Sequence, residues 1–278
     1  MFLYPLIISI LALMNPFLGL VLLMGYCAKT IGYCLSNPIR ALFMFFPVPI
    51  ALIALDASTG TQLMAMDAII GVGAVTLLFL DIVKRSGKLN DGFLVSFLVL
   101  LGYGLLRFKM FGAYQLQELD RGLELIREQL PTMLDNAMFT DALPMWKLIL
   151  PAVWIITQGL SLTLGFLLFL KLLGIKPILQ NFSFPPIYNL MIIAIIPLYL
   201  FEATKMLFAN ALLAMCVIPF LHGMANVWQR LSLVFANRIV LGIFMFIIII
   251  YANVLLVLIG FADMWLNKRN EIPGGITA

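Results

Sequence analysis

The chain has 278 residues, of which 63% are hydrophobic and 11% charged, and its formal net charge is +4. Ordinary soluble domains run at about 45–50% apolar and about 25% charged, so a large water-soluble globule is excluded. Several apolar runs exceed the roughly 18 residues that mark a spanning candidate and do not alternate, which predicts an all-α, polytopic membrane protein and excludes a β-barrel.

In chain order, Phe2 to Tyr26 is apolar apart from Asn15-Pro16. Proline is tolerated in membrane helices with a kink, so this stretch reads as one bent span or as a short re-entrant pair broken at Pro16. No basic leader or small-residue cleavage site marks Met1 to Met14 as a signal peptide, so the segment is expected to stay as a helix. Ala41 to Leu55, with Pro47-Val48-Pro49 inside it, is the second span, and Met64 to Val83 the third. Gly71 and Gly73 permit close helix approach there. Lys84-Arg85-Ser86-Gly87-Lys88 is the most basic loop, followed by a fourth span from Gly92 to Leu106.

The pattern then changes. Leu116, Leu119, Leu123, Ile126, Leu130 and Met133 alternate in spacings of three and four, an apolar stripe on a helix. The opposite face carries Glu118, Asp120, Arg121, Glu124, Arg127 and Glu128. This acidic balance is wrong for an anionic lipid surface, so the insert, about 113–136, is expected to lie across the bundle, to dock another membrane subunit, or to serve as a solvated connector. Trp146 to Leu173 is the fifth span, with Gln158, Ser161 and Thr163 available for interhelical hydrogen bonds. Phe182 to Pro186 is expected at the interface. Ile187 to Leu200, Met206 to Trp228 and Val240 to Trp265 complete about eight spans in a single domain, 1–278.

The bases Lys29, Arg40, Lys84, Arg85, Lys88, Lys171, Lys176, Arg230 and Arg238 fall in alternate loops, those expected in the cytoplasm if the N-terminus is outside. Others flank the acidic insert, so the bias leans without deciding. No basic cluster suggests nucleic acid. Cys27, Cys34 and Cys216 form no metal-ligand pattern, and with His222 the only histidine no multi-histidine centre can be built. Walker, dinucleotide, H-E-x-x-H and G-x-S-x-G motifs are absent. The expectation is a non-enzyme without metal or cofactor.

Candidate binding residues are the polar groups set in long apolar runs, because hydrocarbon forces such groups inward. His222, Gly223 and Asn226 share one helical face, as a polar cavity lining or as interhelical hydrogen bonding beside a glycine. Glu202 and Lys205, three apart, pair on a helix or meet water in a loop. Asn210 and Asn253 carry the same two readings as His222.

Two stretches carry a resemblance: Pro219-Phe220-Leu221-His222-Gly223-Met224-Ala225, and Gly260-Phe261-Ala262-Asp263-Met264-Trp265 before Lys268 and Arg269. Here the chain resembles the YybS-like family of bacterial inner-membrane proteins, with His222 where glutamine is usual. The resemblance implies a multi-pass inner-membrane protein distantly similar to the substrate-capturing subunits of energy-coupling-factor transporters. The expected function is therefore small-molecule binding or transport. A structural or assembly subunit of a larger membrane complex, docking through the amphipathic insert, is the alternative.

Overall fold

A computed structural model describes residues 3–129, 137–175 and 187–266, and all of the regular structure among them is helical. The expected Phe182 to Pro186 interface segment, Lys176, Lys268, Arg269 and the insert's end at 130–136 lie outside the described residues. Among the described residues, four helices are long and apolar enough to cross a membrane, or up to six if two bent pairs are each one span. About eight were expected; the difference comes from breaks and short elements that apolar composition alone does not reveal.

The first break is at Asn15. Helices α1 (Leu3–Met14) and α2 (Pro16–Lys29) meet there, with Asn15 in an extended conformation and its side chain accepting from the Leu18 N–H at 3.1 Å. Gly19 packs so tightly on Ala12 that any Cβ would overlap it. On a straight helix those residues would stand about 10 Å apart, so the chain turns a sharp corner. At about 18 and 21 Å, neither helix spans the roughly 30 Å of hydrocarbon. The broken alternative is the arrangement found.

Two short helices follow, α3 (Ile31–Ser36) and α4 (Pro38–Leu42), then a 3-10 turn and α5 (Pro47–Leu55). Prolines at 38 and 47 each occupy a helix start, where the missing N–H costs nothing, and the pair from Pro38 to Leu55 bends by 40°. The third expected span is found and is longer, running unbroken from Thr59 to Ser86 as α6 (Thr59–Met66), a π-helical segment Asp67–Ala74, and α7 (Val75–Ser86).

Helix α8 (Leu89–Gln129) has 41 residues, about 61 Å, twice the hydrocarbon thickness. The fourth span and the acidic insert are thus one rod, with no separate amphipathic element as far as Gln129. Its stripe residues Leu116, Leu119 and Leu123 are half-buried and Ile126 is exposed. Lys147 on α9 (Ala137–Leu172) pairs with Asp120 at 2.6 Å, holding the two rods together beyond the bundle. Within it, Phe79, Phe93, Phe166 and Phe169 pack as a ring cluster from α7, α8 and α9. Ser161 donates to the Phe17 carbonyl at 2.6 Å, tying α9 to α2, whereas Thr163 bonds back to Gly159 of its own helix.

The expected sixth span is only α10 (Ile187–Ala194) and a 3-10 turn, Ile196–Leu200, too short to cross. The seventh, α11 (Glu202–Met215) continuing into α12 (Val217–Val234), does have spanning length. The eighth is broken between α13 (Arg238–Tyr251) and α14 (Asn253–Leu266), which meet at 98°.

These contacts fix the ends of the bundle. Lys84 Nζ donates to the Ser36 carbonyl at 2.8 Å, bringing the α3–α4 junction to the end of α7. Gly25 packs on Leu168 and Leu172, so Lys29 and Lys171 share that end. Asn210 on α11 lies by Leu148, and Val217 by Gly159, so α11–α12 runs parallel to α9 and brings Arg230 to the same end. Lys29, Arg40, Lys84, Arg85, Lys88, Lys171, Arg230 and Arg238 are all exposed there, with Asp81 and Asp91 as the acids among the described residues. The described bases of the alternate loops thus gather at one end.

Candidate functional site

Two polar constellations lie inside the apolar bundle. The one built from expected residues sits between α12 and α14. Gly223 and Gly260 bring these helices into backbone contact: a Cβ on either would collide with the partner's main chain, at Leu256 and Pro219 respectively. Each glycine faces the carbonyl four residues before the other, the pattern of a parallel small-residue crossing.

One turn further on, Asn226 Nδ2 donates to Asp263 Oδ1 at 2.9 Å. His222 Nδ1 lies 3.9 Å from Asp263 Oδ2, and Arg230 Nε donates to Asn226 Oδ1 at 3.0 Å. His222, Asn226 and Asp263 are buried and Arg230 is exposed. The string therefore leads from the basic end inward to the one histidine. Asp263 becomes affordable in an apolar setting because Asn226 relays it toward a cation.

The other expected residues do not join this group. Glu202 and Lys205 form an ion pair at the start of α11, with Glu202 exposed and Lys205 also lying 5.7 Å from the centre of the Tyr199 ring. Asn253 is exposed and opens α14 beside the 98° break. Asn210 is buried and bridges helices: it accepts from the Ala152 N–H and donates to the Leu148 carbonyl, both at 2.9 Å, beside Pro151. Proline disrupts the helix ladder locally, and this amide supplies partners for the backbone there.

The second constellation was not anticipated. Asp67 opens the π-helical segment, and Arg107 clasps it through Nε at 2.7 Å and Nη2 at 2.8 Å. Tyr103 donates its hydroxyl to the same carboxylate at 2.8 Å, and Arg107 Nη1 donates to Gln115 Oε1 at 2.7 Å. The guanidinium stacks over Trp154, 4.8 Å from the ring centre. Side-chain exposure is only 10% for Arg107 and 7% for Asp67. The Gln115 amide nitrogen is buried with no hydrogen-bond partner among the described residues.

Depth along the helices places this cluster. Asp67 lies about 27 Å from Arg85 along α6–α7, and Arg107 about 27 Å from Leu89 along α8. The pair therefore sits about one hydrocarbon thickness from the basic end, near the opposite membrane boundary. A carboxylate, a guanidinium, an unused amide donor and an indole face converge there. Such a set can recognise a small polar molecule by charge and hydrogen bonds.

No family profile, curated protein or solved structure matches the chain. Geometry therefore carries the functional argument. Among the described residues no cluster of three or more histidine, cysteine or carboxylate groups could hold a metal ion.

Proposed function

We propose that this chain is a small-molecule binding or transport component of the bacterial inner membrane, without chemistry of its own, and that Arg107, Asp67, Gln115 and Trp154 form its recognition site. The observation that carries the reading is the Arg107–Asp67 pair enclosed at the far boundary of the bundle, because ionisable groups inside membrane proteins are expensive and are kept where something is bound or moved. The π-helical turn at Asp67 supports it, since such irregular turns are frequent at functional sites. So does the buried, unused Gln115 donor, which a ligand oxygen can satisfy.

The basic end faces the cytoplasm under the positive-inside rule, so the Arg107 site lies toward the outside, where a capturing subunit meets its substrate. The resemblance of the closing helices to YybS-like proteins, and through them to substrate-capturing subunits, agrees with this. His222, Gly223 and Asn226 then form the helix–helix contact that supports the site's bundle. A panel of vitamins, amino acids and carboxylic metabolites, screened by thermal shift in nanodiscs, tests the proposal. A hit should stabilise wild type and His222→Ala but not Arg107→Lys; a panel without hits, or a hit indifferent to Arg107→Lys, overturns it.

A second reading, a subunit of a larger membrane complex, is favoured by one observation. Beyond Arg107, α8 continues for 22 residues to Gln129 with charged, exposed sides, a reach of about 33 Å. Mass spectrometry after gentle solubilisation decides it: a stoichiometric partner lost on truncating the rod supports it, and a clean monomer refutes it.

A further inference from the structure

At the basic end, two grooves flank α4. One, of about 610 Å³, runs between α4, α7 and α8, walled by Ile39, Ala74, Leu77, Leu78 and Val99. The other, of about 710 Å³, lies on the far side of α4 against Ile39, Phe43 and Met44. They share Asn37 and Ile39, so Ile39, which is exposed, stands as a ridge between two apolar channels.

The mouths of both channels are cationic. Lys84 and Arg85 border the first and Arg40 the second. Asp81 is the acid at this rim, and Arg85 pairs with it at 2.9 Å. Lys84 gives one hydrogen to the Ser36 carbonyl at 2.8 Å, and an ammonium carries three. From Arg85 down to Ala74 the first channel descends about 16 Å, about half of the hydrocarbon thickness, which is the depth of one leaflet.

We propose that this paired groove is a binding site for one anionic glycerophospholipid of the surrounding leaflet. Its two chains lie astride Ile39, and its phosphate meets Arg40, Lys84 and Arg85. The occupant follows from two matches on the molecule: an apolar channel of leaflet depth with a second, shallower one beside it, and a surplus of positive charge at their mouths. Free phosphate would use the cations and leave the channels empty. A zwitterionic phospholipid would fill the channels but bring its own ammonium to the cationic rim, leaving the surplus positive charge unbalanced. The site is independent of the Arg107 reading and lies at the opposite end of the bundle.

Native mass spectrometry of protein delipidated and then exposed to vesicles of phosphatidylcholine doped with phosphatidylglycerol tests this. Wild type should retain one phosphatidylglycerol. Each basic residue near an anionic membrane surface is worth about a five-fold change in binding, so Arg40→Gln combined with Arg85→Gln should weaken retention about 25-fold. All three test positions are exposed, and Lys171→Gln, at the same end but away from the grooves, should retain lipid as wild type does. Unchanged retention in the double variant overturns the proposal. So does equal loss in Lys171→Gln, which would indicate diffuse surface attraction, or equal retention of phosphatidylcholine, which would indicate filling of the grooves without recognition of the headgroup.

Discussion

Replacing Asp67 with asparagine keeps the shape of the side chain and removes its charge. Arg107 then remains buried at 10% side-chain exposure with its counter-charge gone, although Tyr103 can still donate to the amide oxygen. Breaking a buried pair by removing one partner costs about 3–5 kcal/mol, chiefly because the other charge is left uncompensated. The retained Tyr103 bond puts Asp67→Asn at the lower end, about 3 kcal/mol. For chains somewhat shorter than this one, each kcal/mol shifts the melting point by roughly 2–4 °C, so the variant should melt about 6–12 °C below wild type. Asp67→Leu with Arg107→Met removes both charges and should recover most of that loss, since an apolar replacement of a buried pair is often neutral. With the other three of the chain's four tryptophans replaced by phenylalanine, Trp154, stacked on the guanidinium, gives a local fluorescence signal for the melt in nanodiscs. A single variant within about 2 °C of wild type, or a double variant as damaged as the single, would refute the claim that an enclosed charge pair fastens α6–α7 to α8.

Gly223→Ala should separate α12 from α14, because its Cβ would overlap the Leu256 carbonyl, whereas Gly102→Ala, with open space at that position, should change stability by no more than about 1 kcal/mol; parallel melts compare them. Asn210→Leu removes the partners of the Ala152 N–H and the Leu148 carbonyl and should cost about 1–3 kcal/mol, measured by chemical denaturation in micelles. The Thr61 hydroxyl, the Ser58 N–H and the Ser58 hydroxyl hold the exposed Asp56 carboxyl below its ordinary range. With the folded value lowered, these bonds support the turn above the ordinary carboxylate value and are lost as pH falls through the lowered one. Amide exchange at Ser58 should therefore accelerate only in strong acid, and in Asp56→Ala it should be fast throughout. An impermeant amine reagent should modify Lys88 and Lys171 from the side opposite to Lys147 and Lys205.

Composition alone made the solvent legible, because no water-soluble core accommodates so many apolar residues. Thr59–Ser86 and the core of Ala137–Leu172 were legible as spans because their hydropathy is continuous, and the helix of the second carries on through Pro144 and Pro151. The break at Ala252 was not, because Val240 to Trp265 is apolar on both sides of it and no proline or glycine marks the bend. Asn253 was the available cue, since asparagine favours helix starts. His222 and Asn226 were readable as one face, but their partner Asp263 required the fold. Asp67 and Arg107 escaped notice because each reads alone as a charge at a span end. The overlooked signal was symmetry: both lie 18 positions from the turn between α7 and α8, Asp67 counted to Arg85 and Arg107 to Leu89, and a helical hairpin brings such positions to one depth.

The most direct test of the proposed site follows the guanidinium itself. In nanodisc-embedded protein labelled at arginine with nitrogen-15, the Arg107 Nε resonance should shift when the ligand found by the metabolite screen saturates, while that of Arg230 at the opposite end stays in place. A stationary Arg107 resonance under saturating ligand would contradict the account.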